Sequence, residues 1–277
     1  MFVLFPLEGL CNRMRAVASA LSLTDKLSVP LSVYWLKDAR LGSRFDQLFK
    51  PIPGVEIIEI DRTPFLFRDS KVRNLYFTGA LRRIKGINFY DNAVIQKKKK
   101  NGFDFLKFGK YENVAIKTYC SFFENRGFYE FFRPICFLQE EIEKTTNNFD
   151  KSTIGLHIRR TDSIQSIIKS PLYLFEKKVS RVLKLDRKTK FYLATDCEKT
   201  KIRMLEKFGE NIVTRDSSFE RDSTIGIQDA LVDLYCLSKT SKIFGSYYSS
   251  FSHVASQISG IESVLLYKKE EKFYAAR

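Results

Sequence analysis

The sequence predicts an α/β fold of two domains, each built on parallel strands. Three observations carry this. From about residue 150, short apolar runs alternate with amphipathic stretches of helical length, the pattern of consecutive βαβ units. The chain also opens on a strand, a glycine-containing loop and a helix in that order. Finally, 277 residues at 44% hydrophobic content can form two modest cores. The boundary is expected near 148–152, giving domains 1–149 and 150–277.

The elements follow in order. Phe2–Phe5 reads as a strand, Pro6–Cys11 as a loop, and a helix begins at about Asn12. Its Met14, Val17, Ala18 and Leu21 hold the i, i+3, i+4, i+7 spacing of one buried face. Leu31–Trp35, Val55–Ile60 and Val114–Tyr119 read as strands. Between about 62 and 112 aromatics alternate with basic residues and no period is sustained; Lys97–Lys100, followed by Asn101-Gly102, reads as a solvated loop. Phe137–Asn147 is helical. Thr153–Ile158 is a strand, 171–185 a helix, Phe191–Thr195 a strand and 198–208 a helix. Ile212–Thr214 is a short strand, and Ile227–Ser238 is a helix with Ile227, Leu231, Leu234 and Leu237 on one side. Lys242–Ser246 is a strand, His253–Ile258 a short helix and Glu262–Leu266 the last strand.

Lys+Arg 47 against Asp+Glu 32 gives a formal charge of +15, which favours a polyanionic neighbour: nucleic acid, an anionic membrane face or a phosphorylated ligand. The five cysteines, 11, 120, 136, 197 and 236, form no C-x-x-C pair, so reduced thiols in a cytoplasmic protein are expected. Met1–Pro6 is too short for a signal peptide, and no apolar run approaches the length of a membrane span. Any membrane contact is then peripheral. The phosphate-binding motifs G-x-x-x-x-G-K-[ST] and G-x-G-x-x-G are absent, as is the G-x-S-x-G elbow. No two aspartates are separated by one residue, and two histidines are too few for a histidine-rich metal site.

In parallel α/β sheets ligands bind outside the carboxyl ends of the strands, so four loops draw attention. Glu8-Gly9-Leu10-Cys11-Asn12-Arg13 offers a glycine and a helix start, suited to an anion; its simpler role is a turn with Asn12 as N-cap. Arg159-Arg160-Thr161-Asp162 places two guanidinium forks beside a strand that contains His157. Such forks grip phosphate bidentately, or else form a surface pair with the aspartate. Asp196 suits the donors of a purine or a ribose, or caps the helix behind it. Ser246–Ser252, with Ser249 and Ser250, gives clustered hydroxyls and N–H groups at a helix start: a phosphate nest or a capped turn. Asp233, between Val232 and Leu234, needs a donor partner if it is buried.

Taken in order, these blocks resemble the fucosyltransferase superfamily of α1,6-fucosyltransferases, nodulation fucosyltransferases and protein O-fucosyltransferases. The resemblance rests on Glu8–Arg13, on His-x-Arg-Arg-x-Asp at 157–162, on Phe191–Asp196, and on Ala230–Ser238 continuing to Ser246–Ala255. It covers most of 150–256 and 5–20. It implies a GT-B architecture of two Rossmann-like domains facing a cleft, and inverting, metal-independent transfer from GDP-fucose with no cofactor. By the same resemblance Arg159 is the essential arginine at the β-phosphate, with Arg160 and Asp162 in its motif. His157, Asp196 and Asp233 surround the nucleotide. Ser249 and Ser250 lie at the pyrophosphate, and Gly9, Asn12 and Arg13 meet it from the other domain. Two departures matter. The glutamate that α1,6 enzymes carry after the arginine motif is missing from Ser163–Ile168, and Ser250 stands where those enzymes usually have glutamine. Glu8 matches the glutamate that some protein O-fucosyltransferases place before the first-loop glycine. It is the expected base, with Asp38, Asp46 and Glu124 next. The implied partners are a nucleotide sugar and a glycan acceptor of surface polysaccharide synthesis, lipid-linked or free, met in the cytoplasm or at an anionic inner membrane face. Rival readings are the same fold with another nucleotide sugar, a fold of this kind without activity, and a basic nucleic-acid binder; the enzyme reading expects no nucleic acid.

Overall fold

A computed structural model describes residues 1–61, 86–125, 127–161, 163–218, 220 and 222–268. It contains two five-stranded sheets in which every strand pairing is parallel. The chain forms two compact units. The first comprises the described residues of Met1–Glu141 and Glu220–Val232, the second those of Ile142–Phe219 and Asp233–Arg277.

In the first unit β1 (Phe2–Pro6), β2 (Leu31–Leu36), β3 (Val55–Ile60), β4 (Ile87–Tyr90) and β5 (Asn113–Thr118) take the order β3-β2-β1-β5-β4. The helix Leu10–Leu27 packs on β1 and is buried almost all round, with Met14, Ala16, Val17, Ala18 and Leu23 excluded from solvent. It stops where Ser28 adopts a left-handed conformation and its N–H returns to Thr24 and Asp25. Trp35 is fully buried at the end of β2, its indole N–H donating to the Ser43 carbonyl at 3.1 Å.

In the second unit β6 (Ile154–Ile158), β7 (Phe191–Thr195), β8 (Ile212–Val213), β9 (Lys242–Ser246) and β10 (Glu262–Leu266) take the order β10-β9-β6-β7-β8. Counted within the unit this is 3-2-1-4-5, a doubly wound order whose reversal lies between β6 and β9. β6 and most of β7 are buried, as expected of strands covered on both faces. The core joins Ile154, Leu156, Ile158, Phe191, Leu193 and Phe244 of the sheet to Phe175, Val179 and Met204 of the helices Leu172–Leu185 and Glu198–Phe208.

Several features differ from the sequence reading, among them β4, in a stretch given no element, and a helix that starts at Thr224 and not Ile227. The first helix starts at Leu10 with Gly9 as its N-cap, not at Asn12, because the Gly9 carbonyl already accepts from the N–H groups of Asn12 and Arg13. The lysine run is not a loop. It forms the last turn of a helix, Asn92–Lys100, where cations suit the negative end of the helix dipole. The helix after β9 begins at Ser250, three residues before the expected start. A short helix, Ile164–Lys169, lies in a stretch given no element. The remaining irregular stretch was partly 62–85, which lies outside the described residues.

Candidate active site

In the second unit the carboxyl ends of β6 and β9 are stitched together at the reversal of strand order. Ser246, the last residue of β9, is fully buried. Its Oγ accepts from the Arg159 backbone N–H at 3.1 Å and donates to the His157 carbonyl at 3.3 Å. From the other side, Asp196 accepts the Arg160 N–H at 2.6 Å through Oδ1 and the Thr161 hydroxyl at 2.7 Å through Oδ2. Thr195 donates to the Ile158 carbonyl at 2.7 Å. The Arg160 guanidinium is turned onto the protein, donating to the carbonyls of Ser170 at 2.5 Å and of Arg159 at 3.2 Å. The corner is thus held by its backbone and by Arg160, and Arg159 is half-buried.

Asp196 therefore braces the arginine corner. It is not the helix cap: Cys197 holds that position and no side chain caps the helix. Burial pushes the Asp196 carboxyl upward, but Thr161, the Arg160 N–H and the charges of Arg159 and His157 outweigh it and hold it below the usual carboxylate range. The stability it contributes is present above the ordinary value near 3.8 and is lost as pH falls through the lowered one. Asp196→Asn turns one acceptor into a donor facing two donors. The expected cost is about 1–3 kcal/mol, seen as a lower urea midpoint with unchanged slope. An unchanged midpoint would remove the bracing role.

His157 is buried in β6, its ring stacked on Phe251 at 4.8 Å and 22°. It couples the arginine strand to the helix Ser250–Ser259. That helix sits close on β9 because residue 245 is glycine: a Cβ there would lie 2.4 Å from the Ser252 Oγ. Ser249 is its N-cap, accepting from the Phe251 N–H at 3.4 Å, and Ser250 is its first residue. Asp233 is buried and accepts the Tyr192 hydroxyl at 2.6 Å, with the Arg215 guanidinium at 3.8 Å. The donor that its burial demanded is this tyrosine, whose own ionisation is pushed far up by burial and then by Asp233. Asp162 lies outside the described residues.

In the first unit the loop after β1 has a related build. Each loop runs from the last strand residue through one residue to a left-handed one, then a capping residue and a helix. In the first unit the left-handed residue is Glu8 (φ 70°) before the cap Gly9, and in the second it is Tyr248 (φ 59°) before the cap Ser249. Neither is glycine, so surrounding contacts must hold the strain, about 1–3 kcal/mol each. Arg13 does this for Glu8. Its side chain is 1% exposed, and Nε donates to the Glu8 carbonyl at 2.7 Å. Nη1 donates to the Leu36 carbonyl and Nη2 to Asp38 at 3.1 Å. Arg13, expected among the donor-binding residues, lies as a buried brace under the loop. Burial pulls its guanidinium down to about 10, against the opposing pull of Asp38 and Glu8.

Gly9 has an ordinary φ of −72°, and a Cβ there would meet only the Arg40 carbonyl at 3.8 Å. The fold itself does not require glycine at this position. No side chain caps the helix behind Gly9, so its first N–H groups retain their affinity for an anion. The Asn12 carboxamide accepts from Arg15 at 2.6 Å. The Glu8 carboxylate pairs with Arg40 and lines a pocket of about 50 Å³. Phe5, Tyr34, Leu36 and Ile60 give that pocket apolar walls, and Asp38, Arg40 and Lys117 line it with Glu8. Sequence reasoning missed Arg40 and Lys117 as contributors, and named Ser246 only as part of a hydroxyl cluster. Nothing in the pattern around Arg40 marks it, and nothing in the run Lys242–Ser246 reveals that the Ser246 hydroxyl reaches across to Arg159 and His157. Among the described residues no three His, Cys, Asp or Glu side chains cluster as a metal site.

Two such parallel α/β units, with these loops at their carboxyl edges, give the GT-B fold of the fucosyltransferases. No family model and no curated protein sequence matches the chain. Solved structures do. NodZ α-1,6-fucosyltransferase soaked with GDP-fucose aligns over 93% of this chain and 92% of its own, at a TM-score of 0.60 and 16% identity. An arginine-to-lysine mutant of FUT1 from Arabidopsis thaliana, in complex with GDP, aligns over 98% of this chain and 71% of its own at 0.67 and 15%. POFUT1 in complex with GDP-fucose aligns over 96% and 98% at 0.59 and 11%.

Proposed function

We propose that the protein is an inverting, metal-independent glycosyltransferase that moves fucose from GDP-fucose to a glycan acceptor in surface polysaccharide synthesis. The observation that carries this is the Arg159 corner, clamped by Ser246 and Asp196 at the strand-order reversal of a doubly wound sheet. The GDP and GDP-fucose complexes of proteins with the same fold support the choice of donor. In this reading the second unit takes the nucleotide and the first takes the acceptor. Glu8 removes the acceptor hydroxyl proton as the oxygen attacks the fucose C1, and the C1–phosphate bond breaks on the opposite face. The growing charge on GDP is met by the Arg159 fork and by the N–H groups of the Ser249–Ser250 helix start. Fixed donors aimed at developing charge replace the divalent cation that other transferases use. The acceptor is met in the cytoplasm, at an anionic membrane face if it is lipid-linked.

The test is a nucleotide panel. GDP should raise the melting temperature more than ADP or UDP at equal concentration, and transfer from GDP-fucose should persist in EDTA. Equal shifts from all three nucleotides would remove the guanine claim, and activity lost in EDTA but restored by Mn²⁺ would remove metal independence. A better response to another nucleotide sugar would favour that donor on the same site.

A further inference from the structure

A pocket of about 360 Å³ opens in the first unit, bordered by Leu31 and Val55, the first residues of β2 and β3. It therefore lies at the amino edge of the sheet, opposite the carboxyl-edge loops. Its volume is in the range of small-molecule sites. Leu21, Leu31, Ile52 and Val55 give it an aliphatic wall. Phe128 and Phe131 add two half-buried rings, tilted by 35° with centres 5.8 Å apart.

Three features of the lining select for positive charge. The first is the carboxyl end of the helix Leu10–Leu27, whose last turn and Ser28 cap border the pocket. The negative end of a helix dipole favours cations. The second is Asp25, the one charged side chain in the lining. Its carboxylate is exposed and has no ion pair or hydrogen bond among the described residues. In a chain with 47 lysines and arginines against 32 acidic residues that is worth explaining, since Glu8, Asp38, Glu124, Glu176 and Asp233 all have cationic partners. Lys26, next to Asp25 in sequence, turns instead to Glu124 and to the Phe123 ring, 5.3 Å from its centre. The third feature is the pair of rings, over which no cation lies among the described residues. Lys26, Glu124 and Phe123 show the complete set: an ammonium held by a carboxylate and an aromatic face. The pocket offers the carboxylate and the faces, and no described lysine or arginine supplies the ammonium.

We infer that this pocket binds a small organic ammonium ion, with its charge at Asp25 and the phenylalanine rings and its apolar body along the aliphatic wall. The ammonium gains from the carboxylate and from the ring faces together, and the body gains by leaving water. A neutral amphiphile of the same shape matches only the wall. A carboxylate of the same shape is repelled by Asp25 and by the helix end. The site uses no residue given a part in fucose transfer, so the inference stands apart from that reading.

The experiment is an amide chemical-shift titration of the whole protein with three probes of equal chain length: n-hexylammonium, hexanol and hexanoate. Hexylammonium should move the amides of Asp25, Ser28 and Gly54, all of which line the pocket, in a saturable way. Hexanol should bind there at least about threefold more weakly, and hexanoate more weakly still. Asp25→Asn should weaken hexylammonium binding by about threefold and remove most of its dependence on salt. Phe131→Leu should weaken it by a similar factor, about threefold, while keeping the salt dependence. An amide spectrum unchanged outside the pocket shows that each variant is folded. Equal affinities for hexylammonium and hexanol overturn the inference, because the pocket would then be only an apolar hollow. So does the absence of saturable shifts at these amides, or an undiminished affinity in a folded Asp25→Asn protein. Shifts at the same amides that grow with protein concentration alone and vanish in Asp25→Asn would also overturn it, because a cationic side chain of a second copy would then be the occupant.

Discussion

Arg159→Lys is expected to cut fucose transfer by about 10²–10³-fold and to leave the melting temperature near that of wild type. The two halves of this expectation come from different parts of the corner. The fold of residues 158–161 is held by the Arg159 N–H on Ser246, the Arg160 N–H and Thr161 hydroxyl on Asp196, and the Arg160 guanidinium on Ser170. All of these remain available to the lysine variant. Lysine also keeps the positive charge that helps to hold Asp196 ionised. It loses the planar fork, so one ammonium cannot satisfy two phosphate oxygens in a fixed direction. The measurement is turnover from GDP-fucose beside a thermal melt. A folded Arg159→Lys protein with near-normal turnover would remove Arg159 from the chemistry. Arg160→Lys provides the contrast. It should lower stability as well, because the guanidinium it removes holds the Ser170 and Arg159 carbonyls.

How much of this was legible in the sequence depended on how far each signal travels along the chain. The strands of the second unit were readable because parallel strands covered on both faces are nearly continuous apolar runs; Ile154–Ile158 and Phe191–Thr195 lie almost where the pattern put them. β4 and the helix Asn92–Lys100 were not, since four consecutive lysines conceal a helix whose only fully buried residue is Ile95. The arginine corner was visible as a motif, but the division of labour within it was not. Arg159 and Arg160 are indistinguishable until Ser170, ten residues on, is seen to take the second guanidinium. The bracing contacts of Arg13 were hidden for the same reason: its partners Leu36 and Asp38 belong to the end of β2 and the turn after it, a relation no local pattern reports. The left-handed turns at Glu8 and Tyr248 had no signal either, because neither residue type favours that conformation; tertiary contacts impose it.

Glu8→Gln is expected to lower turnover by about 10²–10⁴-fold while preserving the GDP-induced melting shift. The structure narrows the choice of base. Asp38 accepts from Arg13 and from the backbone N–H groups of Arg40 and Leu41, so its carboxylate is committed to the turn after β2. Asp46 is engaged by both forks of Arg44, and Glu124 pairs with Lys26. Glu8 alone of the four lines the pocket without being tied to backbone N–H groups, and its position is fixed by the Arg13 bond to its own carbonyl. That bond survives the substitution, so the loop should keep its shape and Gly9 its approach to an anion. The competing explanation is that Glu8 serves only to hold Arg40. In that case Glu8→Gln and Arg40→Gln would cause the same modest loss, and the double variant would add nothing. If Glu8 is the base, Glu8→Gln should be far the more damaging of the two. A Glu8→Gln protein that keeps a third or more of wild-type turnover would move the base to another group.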